Sequence, residues 1–118
     1  MTTQSLAVEF MFAPGCPCAQ PALRLLRKVL AEEHCESPVI VRVIASEEEA
    51  IRRGVRGSPT ILVDGVDIEG PAFHMPSDRL ACRRYEPHGE YAGVPDAAVI
   101  RQALYVHPGK RRPGAALR

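Results

Sequence analysis

From Leu6 to Phe12 the chain reads LAVEFMF, apolar at every position but Glu9, and then meets Ala13-Pro14-Gly15. A run of this kind, rich in branched and aromatic residues and closed by turn formers, predicts a largely buried strand followed by a loop. Beyond it, Leu23, Leu26 and Leu30 recur at helical spacing with Ala22, Leu25 and Val29 beside them, while Arg24, Arg27 and Lys28 share the opposite side. This predicts an amphipathic helix. Gln20-Pro21 opens it, with proline at the first helical position, where its missing N–H removes no hydrogen bond. The helix should end near Glu33–Cys35, because Ser37-Pro38 turns the chain out of the helical region and Val39 to Ile44, VIVRVI, is strongly β-prone.

Ser46-Glu47-Glu48-Glu49 has the form of a capping box and places three acids where a helix N-terminus favours them, so a short helix to about Arg53 follows. Gly54 to Gly57 breaks it. Thr60-Ile61-Leu62-Val63, Asp64-Gly65 and Val66-Asp67-Ile68 then predict a hairpin with a type I′ turn. A last helix spans about Pro95 to Val106, with Ala97, Ile100 and Leu104 on one stripe and Val99, Ala103 and Val106 beside it. The order β-α-β-α-β-β-α describes an α/β domain with a central mixed sheet of about four strands flanked by helices, its first two strands parallel across a helical crossover. Between Pro71 and Val94 lies a stretch longer than structureless connectors usually are, with Cys82, His74 and His88 and a short strand suggested around Leu80–Tyr85.

At 118 residues the chain has room for one domain, expected over residues 1–106. With 46% hydrophobic and 25% charged residues it falls outside the disordered, collagenous and disulfide-scaffold classes. The formal charge of +1 hides an asymmetry, because residues 107–118 carry Lys110, Arg111, Arg112 and Arg118 with no acid. That basic stretch holds two Pro-Gly pairs and little apolar surface, so it is expected to be a flexible tail rather than a nucleic-acid footprint. No window approaches the length of apolar sequence a membrane span needs, and MTTQSLAVEF lacks the form of a signal peptide, so a cytoplasmic protein with no membrane partner is expected.

A reducing compartment changes what four cysteines mean, leaving them free for redox chemistry or metal binding. Pro14-Gly15-Cys16-Pro17-Cys18-Ala19 stands where the first strand hands over to the first helix, at a helix start whose N–H groups and dipole favour thiolate. Cys16 and Cys18 can cycle as a pair, or either can pair with a distant thiol, for which Cys82 is the candidate. A C-x-C disulfide closes a very small ring and would be oxidising and labile. Two soft thiolates one residue apart also suit Zn, Cu(I) or Hg(II), with Cys82 as a third ligand.

These residues carry a resemblance. VEFMFAPGCPCA resembles the VDFWAxWCGPC stretch of thioredoxins, and GVRGSPTILVDG resembles their segment with a cis-proline before a strand. The resemblance implies a thioredoxin-like fold, a cis Pro59, and a Ser58-Pro59-Thr60 segment lying against the cysteine loop to offer backbone groups to a thiol or disulfide substrate, with Pro17 in the contact. It implies no cofactor. Two registers compete. Without a gap, Gly15-Cys16-Pro17-Cys18 overlies C-G-P-C, with Cys18 in the resolving position and Glu9 over the buried acid of thioredoxins. With one inserted residue, Cys16-Pro17-Cys18-Ala19 overlies it, Cys16 becomes the nucleophile and Ala19 replaces the resolving cysteine; this second register is preferred. A weaker resemblance, in DGVDIEG, Ala81-Cys82-Arg83-Arg84-Tyr85 and Gly93-Val94-Pro95, is to small relatives of organomercurial lyases and implies mercury binding by Cys16, Cys18 and Cys82. The aspartate that those lyases place three residues after the first cysteine is Ala19 here.

The remaining polar residues have plainer readings. Cys35 is expected to be a small packed residue or an exposed helix-end thiol. Glu9 must face water or find a partner, because a lone buried carboxylate is costly. His34, His74, His88 and His107 show no metal-ligand spacing, and Arg52, Arg53 and Arg56 beside Glu47–Glu49 read as a solvated face.

Overall fold

The structure is a computed structural model and describes residues 6–70, 79–81 and 94–106. The elements in chain order are β1 (Val8–Phe12), α1 (Ala19–Glu32), β2 (Val39–Val43), α2 (Glu47–Arg53), β3 (Thr60–Val63), β4 (Val66–Asp67) and α3 (Ala97–Val106). The strands form one mixed sheet in the order β2-β1-β3-β4, with β1 parallel to β2 and antiparallel to β3. Cys82 and the basic stretch 107–118 lie outside the described residues, as do His74, His88 and His107.

Alternation along the central strands divides the interior between two faces, since successive side chains point to opposite sides of a sheet. Val8 and Phe10 of β1 with Ile61 and Val63 of β3 meet Leu26, Val29 and Leu30 of α1 and Ile100 and Leu104 of α3. Met11 and Leu62, one residue out of phase, meet Ile44, Ala50 and Val55 on the α2 side. All four residues of β3 are buried, which explains a strand with no polar alternation beyond Thr60. The hairpin closes with Asp64 at φ 53° and Gly65 at φ 84°, the two positive values a type I′ turn requires. Asp64 also joins the start of β1, its N–H donating to the Ala7 carbonyl and its Oδ1 accepting from the Ala7 N–H.

The starts of α1 and α3 depart from expectation, and that of α2 does not. α1 begins at Ala19, so Pro21 occupies the third helical position and not the first. Nothing is lost, because no N–H of the first turn has an intrahelical partner, and the first such bond runs from Ala22 N–H to Cys18 O at 3.0 Å. At α2, Ser46 caps the helix by accepting from Glu49 N–H at 3.1 Å, while the Glu49 carboxylate accepts from Arg53 Nε at 3.0 Å. α3 starts at Ala97, two residues after the expected Pro95, with Asp96 Oδ1 accepting from the Ala98 N–H as its cap. Arg101 and Tyr105 of α3 then reach Glu33, and Arg101 also reaches Glu32, tying the two long helices together.

The end of α1 accounts for Cys35. His34 sits at φ 57°, its N–H donates to Ala31 O, and Cys35 N–H reaches back to Leu30 O at 2.8 Å. This is the paired-bond ending in which the residue after the cap is left-handed and the next one packs onto the last turn. Cys35 is half-buried against the cluster that holds Leu30, a packed thiol as expected. His34→Gly should stabilise the domain by about 0.5–1 kcal/mol, the left-handed penalty of a side chain less the added freedom of glycine in the unfolded chain. A urea midpoint that stays put or falls in His34→Gly would contradict it.

Candidate thiol site at the start of the first helix

Two consecutive turns carry the chain from β1 into α1. Cys16 N–H donates to Ala13 O at 3.1 Å across Pro14-Gly15, with Gly15 at φ 74°. Proline second and a positive-φ glycine third are the requirements of a type II turn. No atom outside the loop lies within 4 Å of the Cβ position at Gly15, so the conformation alone demands glycine there. Next, Ala19 N–H donates to Cys16 O at 3.3 Å across Pro17-Cys18, and Cys18 at φ −94°, ψ 0° has the third-position geometry of a type I turn. Each proline fixes the second position of its turn, so the spacing PGCPC dictates the loop's course. Cys16 falls at the junction of the two turns and Cys18 at the N-cap of α1.

Both thiols are half-buried and neither is in a disulfide; Cys18 makes no capping bond with its side chain. Cys16 borders a cleft of about 200 Å³ between the first turn of α1 and the β2 side of the sheet. Phe10 and Phe12, with ring centroids 5.9 Å apart, line it on the β1 side, Leu23 on the helix side and Val41 on the outer strand. Pro17 is exposed at the apex of the loop.

The segment before β3 lies against this loop through one residue. The Ser58 hydroxyl accepts from the Ala13 N–H at 2.8 Å, and the Ala13 carbonyl accepts from Cys16. Ala13 thus fastens the cysteine turn to Ser58 on both of its backbone groups. The Ser58–Pro59 peptide bond is cis. Thr60 Oγ1 donates to Gly57 O at 2.6 Å and accepts from Arg56 N–H at 3.1 Å, closing the loop on itself.

Burial and bonding limit what this segment presents at the surface. Ser58 is 2% exposed and Thr60 0%, and Pro59 is buried as well. The backbone donors are also engaged: Gly57 N–H bonds to Arg79 O at 2.7 Å and Ser58 N–H to Ala81 O at 2.9 Å. Arg79 Nη1 adds a bond to Val55 O at 3.1 Å, and Leu80 packs on the Met11–Ile44 cluster. Residues 79–81 form a strap over the edge that the resemblance assigns to substrate; Ser58 braces the cysteine loop from within through Ala13, and Thr60 holds its own loop through Gly57 and Arg56. The sequence suggested a strand near Leu80 but gave no sign of its partner, since backbone groups make the pairing.

Glu9 finds its partner in Arg42 of the neighbouring strand, 3.7 Å away, with both side chains partly exposed. Arg53 pairs with Glu49 at the surface of α2, as a solvated helix face would. Among the described residues no group of three or more His, Cys, Asp or Glu could hold a metal ion, and no helix is long and apolar enough to cross a membrane. No protein-family profile, curated protein or solved structure matches the chain.

Proposed function

We propose that this chain is a thioredoxin-like domain that carries out thiol–disulfide exchange, with Cys16 as the attacking thiolate and Cys18 as its partner. The observation that carries the reading is the Ala13 relay: one residue ties the Cys16 turn to the buried Ser58, so two half-buried thiols sit on a loop braced by the sheet. A sheet ordered β2-β1-β3-β4 with a parallel first pair and an antiparallel hairpin supports the same reading. In the first step the Cys16 thiolate attacks one sulfur of a substrate disulfide; a Cys16–substrate bond forms, the substrate S–S bond breaks, and the other half leaves as thiolate and takes a proton. In the second, Cys18 or Cys82 attacks Cys16 and the remaining half leaves as thiolate, so a protein disulfide forms as the substrate disulfide is reduced. Where an external thiol resolves the adduct instead, it attacks the substrate's sulfur, frees the Cys16 thiolate and is itself oxidised. This chemistry suits a reducing compartment such as the cytoplasm.

The test is differential alkylation of the metal-free protein across a glutathione redox series, read by mass spectrometry. A reversible Cys16 disulfide near the cytosolic poise is the expected result. If Cys16 and Cys18 stay reduced throughout and are instead shielded from alkylation by Hg(II) or Zn(II), the chain is a soft-metal binder. If neither happens and partners still bind the Cys16→Ser/Cys18→Ser protein, it is an interaction module that keeps the fold alone.

A further inference from the structure

Two features on opposite sides of the cysteine loop bear on what kind of molecule can reach Cys16. On one side, an extended polypeptide would dock by pairing its backbone with free N–H groups at a strand edge. The N–H groups of Gly57 and Ser58 are already bonded to Arg79 and Ala81 of the strap, which Leu80 and the Arg79 guanidinium hold down. On the other side, the cleft next to Cys16 is open. Its walls are Phe10, Phe12, Leu23 and Val41, its one amide side chain is Gln20, and no described residue lining it carries a charge. Anionic groups such as the carboxylates of glutathione would find no cation among the described residues there. Val41 leaves 41% of its surface uncovered, although its neighbour across the ladder, Phe10, is fully buried. An apolar cavity of about 150 Å³ takes a benzene ring, so a cleft of this size holds a ring with one or two further atoms.

We infer that Cys16 takes a small apolar disulfide, one bearing an aryl or short alkyl group on the sulfur it attacks, with that group seated between Phe12, Leu23 and Val41. The inference rests on the thiol–disulfide reading and names its substrate class. Burial of the group against the cleft supplies the binding, and the attacked S–S bond then lies at the rim where Cys16 stands. Cys16–SR forms, the distal half leaves as thiolate, and the oxidant is the small disulfide itself.

Methanethiosulfonates separate binding from reactivity, because benzyl and 2-sulfonatoethyl methanethiosulfonate share one leaving group and differ in the transferred part. Rates of transfer to Cys16, localised by fragment mass spectrometry on the full chain, are compared with rates to N-acetylcysteine. The benzyl preference at Cys16 should exceed that of the free thiol by about tenfold or more, as expected for a ring leaving water. Val41→Gln, which adds polarity without charge and so leaves the anionic reagent unrepelled, should reduce the preference to the free-thiol value, and Val41→Thr, a milder change on the same edge strand, should reduce it in part. A wild-type preference equal to that of N-acetylcysteine overturns the inference, and so does a preference untouched by both variants with folding confirmed by circular dichroism. The measurement needs no turnover. If Cys16 cycles in the glutathione series yet shows no benzyl preference, the exchange reading stands and the substrate class falls. If the preference is present but Cys16 forms no reversible disulfide, the exchange reading fails, and with it the substrate class.

Discussion

Cys16→Ser should abolish the mixed disulfide with a small disulfide substrate, a loss of more than about 10³-fold, of the order seen when a covalent nucleophile is removed. Cys18→Ser should do something different. With the first thiol intact the mixed disulfide still forms, but its resolution by Cys18 is gone, so the Cys16 adduct accumulates until Cys82 or an external thiol resolves it. Intact-mass measurement after a pulse of disulfide distinguishes the two, since one variant stays unmodified at the site and the other is trapped. The contrast also tests the preferred register. A trapped adduct on Cys18 in Cys16→Ser, with no adduct in Cys18→Ser, would reverse the roles and count against the alignment that makes Cys16 the nucleophile. Structure gives the preferred assignment its reason: Cys18 is the N-cap and lies inside a type I turn, whereas Cys16 stands at the turn junction and on the rim of the cleft.

Much of this geometry can be traced back to residue order. LAVEFMF, the Leu-rich amphipathic run and the Asp64-Gly65 hairpin each combine a periodicity with turn chemistry that agrees with it, and each appears within a residue or two of the expected bounds. The cysteine loop was legible for the same reason, as two prolines and a glycine at fixed offsets leave few backbone paths. The start of α1 was misplaced because proline is tolerated anywhere in a first turn, so Pro21 marks the turn without marking its first residue.

Contacts made by backbone atoms or by packing between distant elements left weaker traces. The strap from Arg79 to Ala81 is held by two backbone carbonyls, which every residue possesses, and only Leu80 and the Arg79 side chain distinguish it. The Ser58 hydroxyl accepts from the Ala13 N–H, a contact that a serine before a proline does not announce. The apolar cleft had a faint signal in Val39-Ile40-Val41, where an outer strand with one covered face would be expected to alternate. Which of its residues would meet α1 depends on the sheet order, and that order emerges only once β1 is placed between β2 and β3.

That central placement makes Phe10→Ala the most damaging single change expected for the fold. Phe10 is fully buried, stands opposite Val41 on one side and Ile61 on the other, and belongs to the cluster under α1 and α3. Truncating a buried phenylalanine costs about 3–5 kcal/mol, against a total stability of roughly 5–15 kcal/mol for a domain, so a large share of the margin disappears. Urea unfolding should show a lower midpoint with an unchanged slope, because the same surface is still exposed on unfolding. Phe10→Leu, which restores most of the volume, should recover more than half of the loss. A Phe10→Ala cost below about 1 kcal/mol would mean that neighbouring side chains collapse into the space, which close packing against strands on both sides opposes. The same ring also lines the cleft beside Cys16. Phe10→Leu should therefore also lower the benzyl preference at Cys16 toward the free-thiol value, because it reshapes the wall behind Phe12 and Val41.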